Sequence, residues 1–183
     1  MTNSFRIMLT LVLALLPLAS LAQEQNAAPN KLDAIAPFLD DQTIAVGRLD
    51  LKQVDIQAGM DFFAKDIPAD LLSPQQRAEA VAKAKEFKDK LLAAGTSEIF
   101  FIFSLGDLPQ GEPLVVFPVG KGGDPKRVQE VLAALAPGAN GESLHGAIVL
   151  APRGIKTVKP AARPDLAQAF AAAGNAAVLV VVS

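Results

Sequence analysis

Residues 96–105, TSEIFFIFSL, constrain the fold of this chain more than any other stretch. Phe100, Phe101 and Phe103 fall close together, flanked by Ile99, Ile102 and Leu105. At the two-residue period of a strand, Ile99, Phe101, Phe103 and Leu105 share one face and Phe100 and Ile102 the other. A strand that is apolar on both faces belongs inside a sheet, with cover above and below. Each such side chain contributes roughly 1.5–3 kcal/mol when buried, so this ribbon anchors the core.

The amino terminus carries an address. Arg6 supplies a positive start, residues 7–16 form an apolar run, and Pro17 breaks it. Ser20, Leu21 and Ala22 then present small residues for signal peptidase, so residues 1–22 read as a leader and Gln23 as the first mature residue. The apolar run is too short before Pro17 for a membrane span, which needs about 20 apolar residues. An exported, periplasmic or extracellular protein is expected, with no stable membrane insertion after cleavage. Arg6 is the only charge lost with the leader, which leaves 16 basic and 19 acidic residues and a formal charge of −3. That balance exerts no pull on nucleic acid. Cysteine is absent, so an export-permitted disulfide framework is excluded and the core alone must hold the fold.

Residues 23–39 read as a flexible mature terminus with a short helix over 32–39, and residues 40–183 as an α+β domain. Residues 43–49 (TIAVGRL) make the first strand. Asp50 and Gln53 have capping spacing for a helical stretch toward Lys65, with Ile56, Met60, Phe63 and Ile67 inward. Ser73, Pro74 and Gln76 spell a helix start, and Gly95 supplies its left-handed exit. Ala80, Ala84, Phe87, Leu91 and Ala94 form that helix's apolar stripe. After the Phe-rich strand, residues 114–119 return as a strand that lies at an edge or ends at Pro118, which has no N–H to donate. Asp124 and Pro125 start another helix, faced by Val128, Val131, Leu132 and Leu135. Residues 144–150 read as the fourth strand, 165–173 as a short helix on Leu166 and Phe170, and 176–183 (AAVLVVVS) as a closing strand. The expected fold is therefore a mainly antiparallel sheet with helices on one face, ferredoxin-like βαββαβ plus an additional helix and strand. Helices on one face leave the other open. A second copy of the chain or a missing C-terminal half is expected to cover it, and the apolar ending of the sequence favours the missing half.

Residues 36–51 (APFLDDQTIAVGRLDL) resemble the start of certain exported bacterial proteins of unknown function, of the planctomycete type. Residues 159–173 (KPAARPDLAQAFAAA) are similar to their later part. The resemblance implies export and a longer parent protein. It implies no activity, so no site residue follows from it.

Motifs that carry chemistry are few. Gly120, Lys121, Gly122 and Gly123 lie between a strand and a helix, where phosphate loops occur, but at neither the G-x-x-x-x-G-K-[ST] nor the G-x-G-x-x-G spacing. Asp124 also places a carboxylate where a phosphate would sit. A plain turn is expected. His145 is the only histidine, so any triad or zinc site must use it. Ser143 shares its strand face at roughly 6–7 Å, too far for a nucleophile and its base, and a partly exposed strand histidine is expected. Paired carboxylates need no histidine, and Asp40 with Asp41, Asp50 with Asp55, and Asp107 with Glu112 are the candidates; each also has a turn or cap role. Arg153, Lys156, Lys159 and Arg163 make a basic connector that reads as a solvated linker. No catalytic, cofactor-binding or metal residue and no cofactor is assigned. The favoured reading is a non-catalytic binding or assembly module of the cell envelope. The rival is a hydrolase with paired carboxylates, completed by a missing C-terminal half.

Overall fold

The computed structural model describes residues 31–64, 73–107, 113–135, 141–151 and 159–182. The leader over residues 1–22 and the stretch 23–30 lie outside them. Six strands form one sheet: β1 (Thr43–Asp50), β2 (Glu98–Ser104), β3 (Leu114–Pro118), β4 (Glu142–Leu144), β5 (Ala147–Leu150) and β6 (Val178–Val182). Their spatial order is β4-β5-β3-β2-β1-β6, and every neighbouring pair is antiparallel. Four helices accompany them: α1 (Ile56–Phe63), α2 (Pro74–Ala93), α3 (Pro125–Leu135) and α4 (Pro164–Ala173). The fold is α+β, built on an antiparallel sheet. The connection through α1 and α2 joins the neighbours β1 and β2, whereas α3 leads from β3 past β5 to β4, and α4 leads from β5 to β6 across the positions of β3, β2 and β1.

β2 lies between β1 and β3, and its two faces separate as its period dictates. Ile99 and Phe101 enter one core with Leu49, Val115, Phe117, Ile148, Leu150 and Val178. Phe87 and Leu91 of α2, together with Val128 and Leu132 of α3, cover that face. Phe100 and Ile102 enter the second core with Val46, Val116, Val149 and Leu179. This second face is covered as well, which corrects the expectation of helices on one face only. Leu166 and Phe170 of α4 lie on it, and the Phe170 ring stacks 6.3 Å from that of Phe100. Leu32, Ile35, Phe38 and Leu39 complete the cover from two 3-10 turns, Lys31–Ala34 and Ala36–Phe38. The stretch 31–39 is therefore packed: its four buried apolar side chains are shielded in one core with the back of the Phe-rich strand and with α4.

Several local signals act as their chemistry requires. Ser73 and Gln76 close a reciprocal capping box at the start of α2, and Gly95 leaves its end at φ +95°. That glycine also permits a close approach, since a Cβ there would stand 2.5 Å from Gly123 Cα. Pro118 ends β3, but β3 lies between β2 and β5 and is not an edge. Asp55, not Asp50, caps α1 by accepting from the Ala58 amide. Asp50 remains in the preceding turn, where it accepts from the Lys52 amide and the Gln53 side chain. The side chains of Phe63, Ile67 and Leu135 lie outside the described residues. The stretch read as a fourth strand is a hairpin, β4 and β5, turned by His145 at φ +49° and Gly146 at φ +77°. Two consecutive positive φ values give the two-residue loop that matches the twist of a sheet.

Candidate functional site

The second face carries a polar group at each end of its apolar middle. Arg48 shares its side of β1 with Asp50, two residues on, and Glu98 stands across from Asp50 on β2. The Arg48 side chain is only 1 % exposed and donates from Nε to Glu98 at 2.8 Å and from a terminal nitrogen to Asp50 at 3.1 Å. Its other terminal nitrogen reaches the Ala176 carbonyl in the link between α4 and β6, at 3.3 Å. Both carboxylates are thus engaged by one guanidinium, the arrangement that makes a buried cation tolerable.

At the opposite end a bulge at Ile44 shifts the pairing of β1 and β2, so Thr43 faces Ser104 while Ala45 faces Phe103. The Thr43 hydroxyl donates to Asp40 at 2.9 Å, and Asp40 also accepts from the Gln42 amide. Arg163, just ahead of α4, donates to the backbone carbonyls of Asp40 and Thr43 and pairs with Asp165. Its hydrogen bond to Asp165 raises the Arg163 pKa above the usual value and lowers that of the Asp165 carboxyl. The two arginines tie down α4 from both ends.

Among the described residues, those singled out by chemistry do not converge. His145 is exposed in the hairpin turn instead of on a strand, with its ring edge-on to Phe38 at 5.8 Å. Ser143 is exposed on β4. The amides of Gly120, Gly123 and Asp124 donate to the Gly95, Gly120 and Ala94 carbonyls, and Asp124 itself accepts from the Lys126 and Arg127 amides. Those donors are turned to the protein's own oxygens, as a plain turn requires. Asp40, Asp50 and Asp55 hold turns and a cap, and Asp41 is exposed in a turn. The side chain of Asp107, and Glu112, lie outside the described residues, as do Arg153 and Lys156 of the connector; Lys159 is exposed. Among the described residues no cluster of three or more His, Cys, Asp or Glu is placed to hold a metal, and no helix is long and apolar enough to cross a membrane.

An apolar corner stands apart from these. The three large apolar side chains exposed among the described residues are Leu105 (55 %), Val180 (37 %) and Val182 (76 %). They gather at one end of the sheet. Val182 and Phe103 both pair with Ala45, and Val180 and Phe101 both pair with Gly47. Directly opposed residues share a face, so these two rows lie on the side that α2 covers further along. Ala45 and Gly47 contribute one methyl group and none between the valines of β6 and the phenylalanines of β2. Leu105 follows immediately past the end of β2, held by its amide to the Gln42 carbonyl. The sequence signal for this corner was available in the spacing of Val180 and Val182 opposite small residues, but only the register brings them together. No family model, no curated protein and no solved structure matches the chain.

Proposed function

We propose that the chain is a non-catalytic, exported binding or assembly module of the cell envelope, acting through the apolar corner formed by Leu105, Val180 and Val182. The three large apolar side chains exposed among the described residues carry this reading: Val180 and Val182 share one face of β6, and Leu105 follows β2 at the end of the sheet where Val182 lies. Scattered single exposures are ordinary, whereas a contiguous set marks a surface built for contact. The fate of the candidate carboxylates supports the same choice, because Asp40, Asp50 and Asp55 are occupied in turns, a cap and an ion pair. Export rests on the leader, and the mature protein is expected to begin at Gln23 by intact mass.

Binding of an anilinonaphthalene sulfonate dye to the native protein tests the corner. Saturable fluorescence enhancement is expected with wild type. It should be lost in the double variant Leu105→Asp, Val182→Asp, whose circular dichroism and unfolding midpoint remain close to wild type because both side chains are exposed. A native wild type that leaves the dye dark would remove the reading.

A further inference from the structure

We infer that β6 is a self-pairing strand: two copies of this chain join their β6 edges antiparallel about a two-fold axis through Val180, continuing one six-stranded sheet into the other. The inference rests on the binding reading above and names the partner as a second copy.

The two margins of the sheet are built differently. β4 forms one margin, is only three residues long, and exposes Glu142 and Ser143. A short, charged strand is how a protein blunts an edge against pairing. β6 forms the other margin and pairs with β1 alone among the described residues. Its five residues, VLVVV, include no charge, proline or glycine, so the outer row of backbone groups is presented without a guard.

The chemistry of that edge selects its occupant. A two-fold contact sets residue i against j and j against i, so the strand must match its own reverse. Centred on Val180, Val178 meets the second copy's Val182, Leu179 meets Val181, and Val180 meets itself. All five residues enter the ladder, every opposed pair is aliphatic, and no like charges meet. This register also keeps faces in register, because Val178, Val180 and Val182 lie on one side in both copies. The most exposed valine then stands against a valine that the core already holds, and the row runs on across the junction. Pairing β6 with β4 of another copy would instead give a head-to-tail contact that grows without closing. The length and charge of β4 oppose it. A five-residue ladder buries less than the roughly 1,000 Å² of a stable interface, so the association is reversible and weak.

Sedimentation velocity over a concentration series tests the pairing. Wild type is expected to show a monomer–dimer equilibrium. Val180→Lys sets two ammonium groups against each other at the axis and should weaken association by at least about tenfold, with circular dichroism unchanged. Mixing Val180→Lys with Val180→Glu should restore a dimer, which only a contact placing position 180 against itself does. A wild type that stays monomeric throughout the series, an undiminished dimer of Val180→Lys, or a mixture that fails to re-associate would each overturn the inference. The two readings separate cleanly. A monomeric wild type that binds the dye loses the pairing and keeps the corner; a dimer that leaves the dye dark loses the corner and keeps the pairing.

Discussion

Arg48 is the largest side chain among those fully buried in the described residues, and it is a cation set between Gly47 and Leu49 in β1. Removing one partner of such a group is more damaging than never having built it, because the remaining charges keep their partial desolvation without the attraction. Asp50 and Glu98 retain some water at 11 % and 21 % side-chain exposure, which softens the loss. Arg48→Ala is therefore expected to lower the unfolding free energy by about 3 kcal/mol, at the low end for a broken buried pair. Glu98→Ala should lose about 1 kcal/mol, as befits the wetter partner. Urea unfolding of both variants checks the order, and a loss smaller in Arg48→Ala than in Glu98→Ala would contradict it. The sequence read Asp50 as a helix cap, the role that Asp55 takes, and was silent on Arg48. Within TIAVGRL the arginine falls at the position that alternation sends to the second face, yet nothing local says that Glu98, 50 residues on, arrives beside it. His145 was misplaced for the complementary reason. Its neighbours are strand formers, and only the glycine after it hints at a turn.

At the scale of the element, α4 shows how a helix with little apolar surface is held. Only Leu166 and Phe170 are buried along its ten residues. The rest of its attachment is polar, through Arg163 to the carbonyls of Asp40 and Thr43 and to Asp165. These contributions separate by pH. The Asp165 carboxyl is lowered chiefly by the hydrogen bond from Arg163, so its folded pKa lies below the unfolded value of about 3.9. A depressed carboxylate contributes stability above its unfolded pKa and loses it as pH falls through the folded one. The stability gap between wild type and Asp165→Asn is thus expected to be present at neutral pH and to close as pH falls below the unfolded pKa and through the lowered folded one. Arg163 stays charged throughout, so the deficit of Arg163→Ala should persist in acid through its two carbonyl bonds. Urea midpoints across that range decide it, and a pH-independent gap for Asp165→Asn would dismiss the pair. The helices with strong local starts, α2 with its capping box and α3 with Asp124 before Pro125, were legible in the sequence. The role of Arg163 was not, because a linker cation and a clamp are identical until the chain folds back on itself.

For the molecule as a whole, the decisive property is that one sheet serves two cores. The Phe-rich strand was legible as apolar on both faces, and the structure bears that out in Phe100 and Phe101, adjacent in sequence and buried in opposite cores. What could not be read was that residues 31–39 and α4, far apart in the chain, close the second face together. Either piece alone has little apolar content, Leu32, Ile35, Phe38 and Leu39 in one and Leu166 and Phe170 in the other. It suffices because two short pieces share one surface. Peeling that layer away alone would expose Val46, Phe100, Ile102, Val116 and Val149 while the first core stayed intact. At roughly 1.5–3 kcal/mol for each buried side chain, the exposure rivals the whole stability of a domain, about 5–15 kcal/mol. The two layers are therefore expected to melt as one unit. The chain contains no tryptophan or tyrosine, so a single tryptophan reports cleanly on the layer that holds it. Phe87→Trp places it in the first core and Phe170→Trp in the second, at positions 8 % and 6 % exposed, where a larger ring has room at the margin. In each variant the fluorescence transition in urea should coincide with the loss of far-ultraviolet circular dichroism. If fluorescence in Phe170→Trp changed at lower urea than the dichroism, α4 and residues 31–39 would be a detachable cover, and the shared sheet would not be what couples the two cores.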